Sequence, residues 1–108
     1  LEMVKAKEAE RLQRVIPPRS YIVALDVRGE MRSSEHLADL VARLGVEGSS
    51  HIVFIIGGAL GLHSSIIDRA HLRLSFSHLT FPHQLMRLIL MEQIYRWFTI
   101  TRGESYHH

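Results

Sequence analysis

The end of the chain gathers groups able to bind anions and move protons. Arg102, Glu104, Tyr106, His107 and His108 form a short polar tail behind a stretch rich in large apolar residues. That stretch holds Leu85, Met86, Leu88, Ile89, Leu90, Met91, Ile94, Trp97 and Phe98, which together cover almost the whole circumference of a helix. A surface helix keeps one polar face, so this one must be covered on several sides, and a second copy of the chain is the simplest cover. Donors and acid/base groups placed directly after such a helix point to a site where two bodies meet. Glu92 and Arg96 stand four apart on it and are expected to pair.

Two other segments carry chemistry. Ile55-Ile56-Gly57-Gly58-Ala59-Leu60-Gly61 offers backbone N–H groups and close approach to a ligand, although it is neither GxGxxG nor a P-loop. A tight strand-to-helix turn explains it equally well. Ser77-His78-Leu79-Thr80-Phe81 is apolar enough to line an adenine slot, or to be a plain connection whose Leu79 and Phe81 face the core. His78 and His83 flank Pro82 without HExxH or a carboxylate cluster, so no metal site is expected; nor is there a GxSxG element for hydrolase chemistry.

The elements that must position these groups follow from periodicity. Residues 3–14 read as a helix stopped by Pro17 and Pro18. Residues 21–26 are a continuous apolar run, a buried strand ended by an Arg28-Gly29 turn. Ser33 or Ser34 caps the next helix, which Gly45 and Gly48 close. Residues 51–56 form a second buried strand, residues 64–70 a short helix, and Leu72 to Phe76 a third strand. Pro82 then starts the long helix, expected to end near Phe98. Alternation of strand and helix is the pattern of a parallel α/β sheet, whose ligands lie beyond the carboxyl ends of the strands. That rule brings Asp26–Gly29, Gly57–Gly61 and Ser77–Phe81 to one edge.

The 108 residues make one domain at most, 46% hydrophobic and 22% charged, as in an ordinary soluble protein. No cysteine is present, which excludes disulfides and Cys-ligated zinc in these residues. Without a membrane-length apolar run or signal peptide in the sequence, the expected setting is cytoplasmic. Net charge is +2, a weak hint of a polyanionic partner. The chain opens at Leu1 inside a helical pattern, which reads as a fragment.

Together these pieces resemble the trefoil-knotted SPOUT class of RNA methyltransferases, and in particular the large-subunit ribosomal pseudouridine N3-methyltransferase family. The residues that carry the resemblance are VALDVRG at 23–29, FIIGGALGL at 54–62, LSFSHLTFPHQLMRLILMEQIYR at 74–96 and the terminal RGESYHH. It implies a single SPOUT domain over residues 1–108, three-layered, homodimeric and knotted near its C-terminus. The family's additional N-terminal strand-and-helix portion has no counterpart in these residues. It also implies S-adenosylmethionine as cofactor, contacted by Leu25, Gly57, Gly58, Phe76, Ser77, His78, Leu79, Thr80 and Phe81. The implied reaction is methylation of N3 of a pseudouridine in large-subunit ribosomal RNA of the assembled ribosome.

For that chemistry the candidate catalytic residues are Arg96, Tyr106, His107 and His108. A cation would stabilise the anion at N3, His107 would accept the proton, and the tail would reach the partner subunit's cofactor pocket. His108 stands where the family usually has Lys or Arg. A competing reading keeps the fold but makes it a catalytically silent RNA- or ribosome-binding module, which has no need of the cofactor. A third is a small dimeric nucleotide-binding protein unrelated to RNA, which would bind another nucleotide at Gly57–Gly61.

Overall fold

The computed structural model describes residues 2–48, 51–57 and 61–102. Helix α1 (Glu2–Val15) is built from strong helix formers, and ends just before the prolines. In the turn that follows, the Ser20 hydroxyl donates to the Pro17 carbonyl at 2.6 Å. Strand β1 (Tyr21–Glu30) leads to α2 (Ser34–Val46), whose cap is Ser33: its Oγ accepts the His36 N–H at 3.1 Å. Gly45 lies inside α2, and Glu47 is its C-cap. Strand β2 (Ile52–Ile56), helix α3 (Ser64–Arg69), strand β3 (Leu72–Leu74) and helix α4 (His83–Arg102) complete the chain.

The three strands are parallel in the order β2-β1-β3, with Leu25 beside both Ile56 and Leu74. Alternate residues of β1 face opposite ways, as the two-residue repeat of a strand requires. Val23 and Leu25 join Leu72 and Leu74 in a cluster with Leu37, Leu40 and Leu44 of α2 and Leu90 and Trp97 of α4. Ile22, Ala24 and Ile55 pack instead with Ala9, Ile16, Leu62 and Ile66. Strands buried in this way read as unbroken apolar runs, which is why YIVAL and IVFII look as they do.

The ends of β1, β3 and α4 differ from the sequence expectation by more than one residue. β1 does not stop at Arg28-Gly29 but continues to Glu30, because its last residue finds a second partner. Leu74 is in register with Leu25 and again with Glu30, and the Ser75 N–H donates to the Glu30 carbonyl at 2.7 Å. Residues 26–29 therefore arch around Arg73–Ser75. β3 is correspondingly short and stops at Leu74. α4 starts one residue after Pro82, whose carbonyl accepts the Met86 N–H, and runs to Arg102 rather than Phe98.

Candidate functional site

The arch and the carboxyl ends of the strands enclose a cleft of about 270 Å³. Leu25, Asp26, Val27 and Arg28 form its first wall, Ile56, Gly57, Gly61 and Leu62 its floor. Leu74, Ser75, Phe76, Ser77, Thr80, Phe81 and Met86 make the opposite wall. The three segments that the strand-end rule groups together thus meet in one cavity. Its volume is close to the lower limit of small-molecule sites, about 300 Å³.

Each wall is held locally. The Ser75 hydroxyl donates to the Ser77 carbonyl at 2.9 Å, and the Ser77 hydroxyl accepts the Leu79 N–H at 3.0 Å, so residues 75–79 are folded by their own side chains. On the first wall, Arg73 donates from Nε and Nη2 to Oδ2 of Asp26, each at 2.8 Å, while Oδ1 faces the Arg28 N–H at 3.4 Å. Burial alone would raise the Asp26 pKa. The Arg73 hydrogen bond, the Arg28 N–H and the charges of both arginines outweigh it and hold the group below its ordinary value of 3.8. A carboxylate depressed on folding stabilises the fold above its ordinary range, and that contribution is lost as pH falls through the folded value.

Of the cofactor residues expected from sequence, Leu25, Gly57, Phe76, Ser77, Thr80 and Phe81 line the cleft. His78 and Leu79 are exposed and lie outside its lining. Gly58 and the tail residues Tyr106, His107 and His108 fall outside the described residues. Arg96 is on α4, pairs with Glu92 at 2.7 Å as its spacing requires, and does not line the cleft. Ser75, Leu62 and Met86 were not singled out from sequence. Ser75 follows directly on a strand, the one signal that could have marked it; Met86 looks like any core residue of α4.

The lining suits a nucleoside with a flexible polar end. Leu25, Ile56, Leu62, Leu74 and Phe81 give apolar walls, Ser77 and Thr80 bring hydroxyls, and Asp26 and Arg28 bring charge at one margin. A Cβ on Gly57 would lie 3.1 Å from the Gly61 carbonyl carbon and from Leu62 Cγ, so the floor is backbone that a ligand can approach closely. A larger groove of about 400 Å³ lies elsewhere, among Val41, Gly45, Ile52, Phe54, Ile94, Trp97 and Phe98. It has no charged group and suits packing rather than chemistry. Among the described residues, no group of three His, Asp or Glu could hold a metal ion, and no helix is long and apolar enough to cross a membrane.

Parallel strands with a cleft beyond their carboxyl ends define an α/β protein of the kind whose ligand sites lie at that edge. Comparison with known proteins narrows that class. Residues 1–107 match the protein family described as "Predicted SPOUT methyltransferase". A protein of Pelotomaculum thermopropionicum is 58% identical over 107 residues, covering 99% of this chain and 67% of its own length. Relatives from Alkaliphilus oremlandii, 54% identical over 106 residues, and Bacillus pumilus, 50% over 107, cover 98% and 99% of this chain. Each again matches over 67% of its own length. All three are named "Ribosomal RNA large subunit methyltransferase H". The chain belongs to the SPOUT methyltransferase family, and it spans about two thirds of the length of these curated relatives.

Proposed function

We propose that this chain transfers a methyl group from S-adenosylmethionine to N3 of a pseudouridine in large-subunit ribosomal RNA, acting on the assembled ribosome in the cytoplasm. The observation that carries the reading is the cleft at the carboxyl ends of the strands. Six of the nine residues on which the resemblance places the cofactor, Leu25, Gly57, Phe76, Ser77, Thr80 and Phe81, line the strand-end cleft, and relatives of the chain are named "Ribosomal RNA large subunit methyltransferase H".

Bound S-adenosylmethionine supplies an electrophilic methyl group on a sulfonium. The chain's part is to hold donor and acceptor in line and exclude water. Leu25, Ile56, Leu62, Leu74 and Phe81 exclude water from the cleft, and Ser77, Thr80 and backbone groups of residues 76–81 orient the nucleoside. The resemblance adds Gly58, His78 and Leu79 to the cofactor contacts, His78 and Leu79 from outside the cleft's lining. N3 must lose its proton; His107 accepts it, and Arg96, Tyr106 and His108 stabilise and orient the resulting anion.

Arg96 and the tail act in the cleft of a second subunit. Leu88, Met91, Tyr95 and Phe98 support this arrangement, standing at three-, four- and three-residue spacing on α4 with Leu88, Met91 and Tyr95 each 64–71% exposed. That is the spacing of a helix-packing seam, and such an apolar stripe is rarely left bare. The arch around Arg73–Ser75 is compatible with the knot of the three-layer SPOUT fold.

The test is to incubate the full-length protein with unmodified ribosomes and methyl-labelled S-adenosylmethionine, then digest the RNA and locate the label by mass spectrometry. Label on one pseudouridine, at N3, is the expected result. Binding of ribosomes without measurable affinity for S-adenosylmethionine in a titration would instead favour the silent RNA-binding module.

A further inference from the structure

The arch is attached at both ends. At its far end the Glu30 carbonyl accepts from Ser75, and Gly29 is pressed so closely on β3 that a Cβ would lie 2.6 Å from the Arg73 carbonyl carbon and oxygen. At its near end the only side-chain attachment among the described residues is the Asp26–Arg73 pair. Residues 25–28 are one wall of the cleft, and the chain leaving β3 is the other. A link from Asp26 to Arg73 therefore ties the first wall to the strand from which the second wall departs.

Arg73 itself is not among the lining residues, so it acts on the cleft only through Asp26. Two of its donors, Nε and Nη2, converge on Oδ2, while Oδ1 faces the Arg28 N–H at 3.4 Å, so both carboxylate oxygens are held. The Asp26 side chain is 13% exposed and that of Arg73 39%, so the carboxylate is the sheltered half of the pair and the guanidinium is open to screening. The charge-assisted contacts that depress the Asp26 pKa are the same ones that hold the wall.

We infer that Arg73 is a positioning residue for cofactor binding: with Asp26 it braces the arch against β3 and fixes the width of the cleft. This rests on the methyltransferase reading above. A wall free to move by a fraction of an ångström forfeits the close contacts on which binding of a rigid nucleoside depends.

The experiment compares wild type with Arg73→Met in the full-length protein. Arg73→Met keeps most of the apolar stem and removes the charge. Two quantities are read: the dissociation constant for S-adenosylmethionine by calorimetry, and the thermal midpoint without ligand. The expected result is a dissociation constant raised about tenfold. In turnover assays the KM for S-adenosylmethionine should rise in step, with kcat at saturating cofactor and KM for ribosomes held at wild-type values.

A lower midpoint with wild-type cofactor affinity would make the pair a purely structural link and overturn the proposal. Should Arg73→Met fail to fold, Arg73→Lys carries the test, since it keeps the charge and loses the two-donor grip. A rise of about threefold supports the brace, and an unchanged constant overturns it. Failure of the wild type to bind S-adenosylmethionine at all would remove the reading itself, and the brace with it.

Discussion

The two ends of the α4 helix border regions built on opposite principles. Near Met86 the helix closes a cleft whose walls are held by directed contacts: Asp26 with Arg73, Ser75 with Glu30, Ser77 with Leu79. Near Trp97 it packs into an apolar cluster in which the indole N–H has no partner among the described residues, although Trp97 is only 1% exposed. Phe54 lies tilted beside it with ring centres 5.8 Å apart. One region tolerates an unpaired donor because area removed from water holds it; the other spends polar groups to fix positions. A core needs only to be dry and full, whereas a site needs its atoms at set distances.

That contrast can be broken from either side. Trp97→Ala should have the largest effect on stability, about 3–5 kcal/mol in urea unfolding, since it opens a cavity that the elements around it can only partly fill. Gly29→Ala comes next. Its Cβ meets backbone rather than a yielding side chain, so a cost of about 1–3 kcal/mol is expected together with weaker binding of S-adenosylmethionine in calorimetry.

The double change Leu88→Ser with Met91→Ser should leave subunit stability within about 1 kcal/mol of wild type. It should nevertheless shift the protein toward monomer in light scattering. An unchanged mass would remove the α4 seam as the contact between copies. Smallest of all, Arg96→Met breaks an exposed pair with Glu92 and should cost about 0.5 kcal/mol or less in unfolding. A large loss of methylation in that variant, beside so small a loss of stability, would place Arg96 with the chemistry rather than the fold.

Much of this was readable in the sequence because it is local. The apolar runs at residues 21–26 and 51–56 marked buried strands, Ser33 marked a cap, and Pro82 marked a helix start. The rule that ligands sit beyond parallel strands then groups Asp26–Gly29, Gly57–Gly61 and Ser77–Phe81. What escaped depends on pairing between distant residues. Arg28-Gly29 looks like a turn, and only the contact with Leu74 and Ser75 turns it into a strand. Asp26 and Arg73 are 47 positions apart, and nothing in either neighbourhood announces the other. Likewise, α4 runs past Phe98 with its last turn tied to α2, the Thr101 hydroxyl donating to the Ala38 carbonyl at 3.3 Å.

The arch has a consequence for synthesis. Its partners, Arg73 to Ser75, leave the ribosome well after residues 26–30, a delay of several seconds at about 5–20 residues per second. Until then Asp26 lacks the Arg73 guanidinium, the Glu30 carbonyl lacks the Ser75 N–H, and the strand-end cleft lacks its second wall. A half-made chain therefore has no complete cleft, which closes only after the third strand and the residues behind it have been translated.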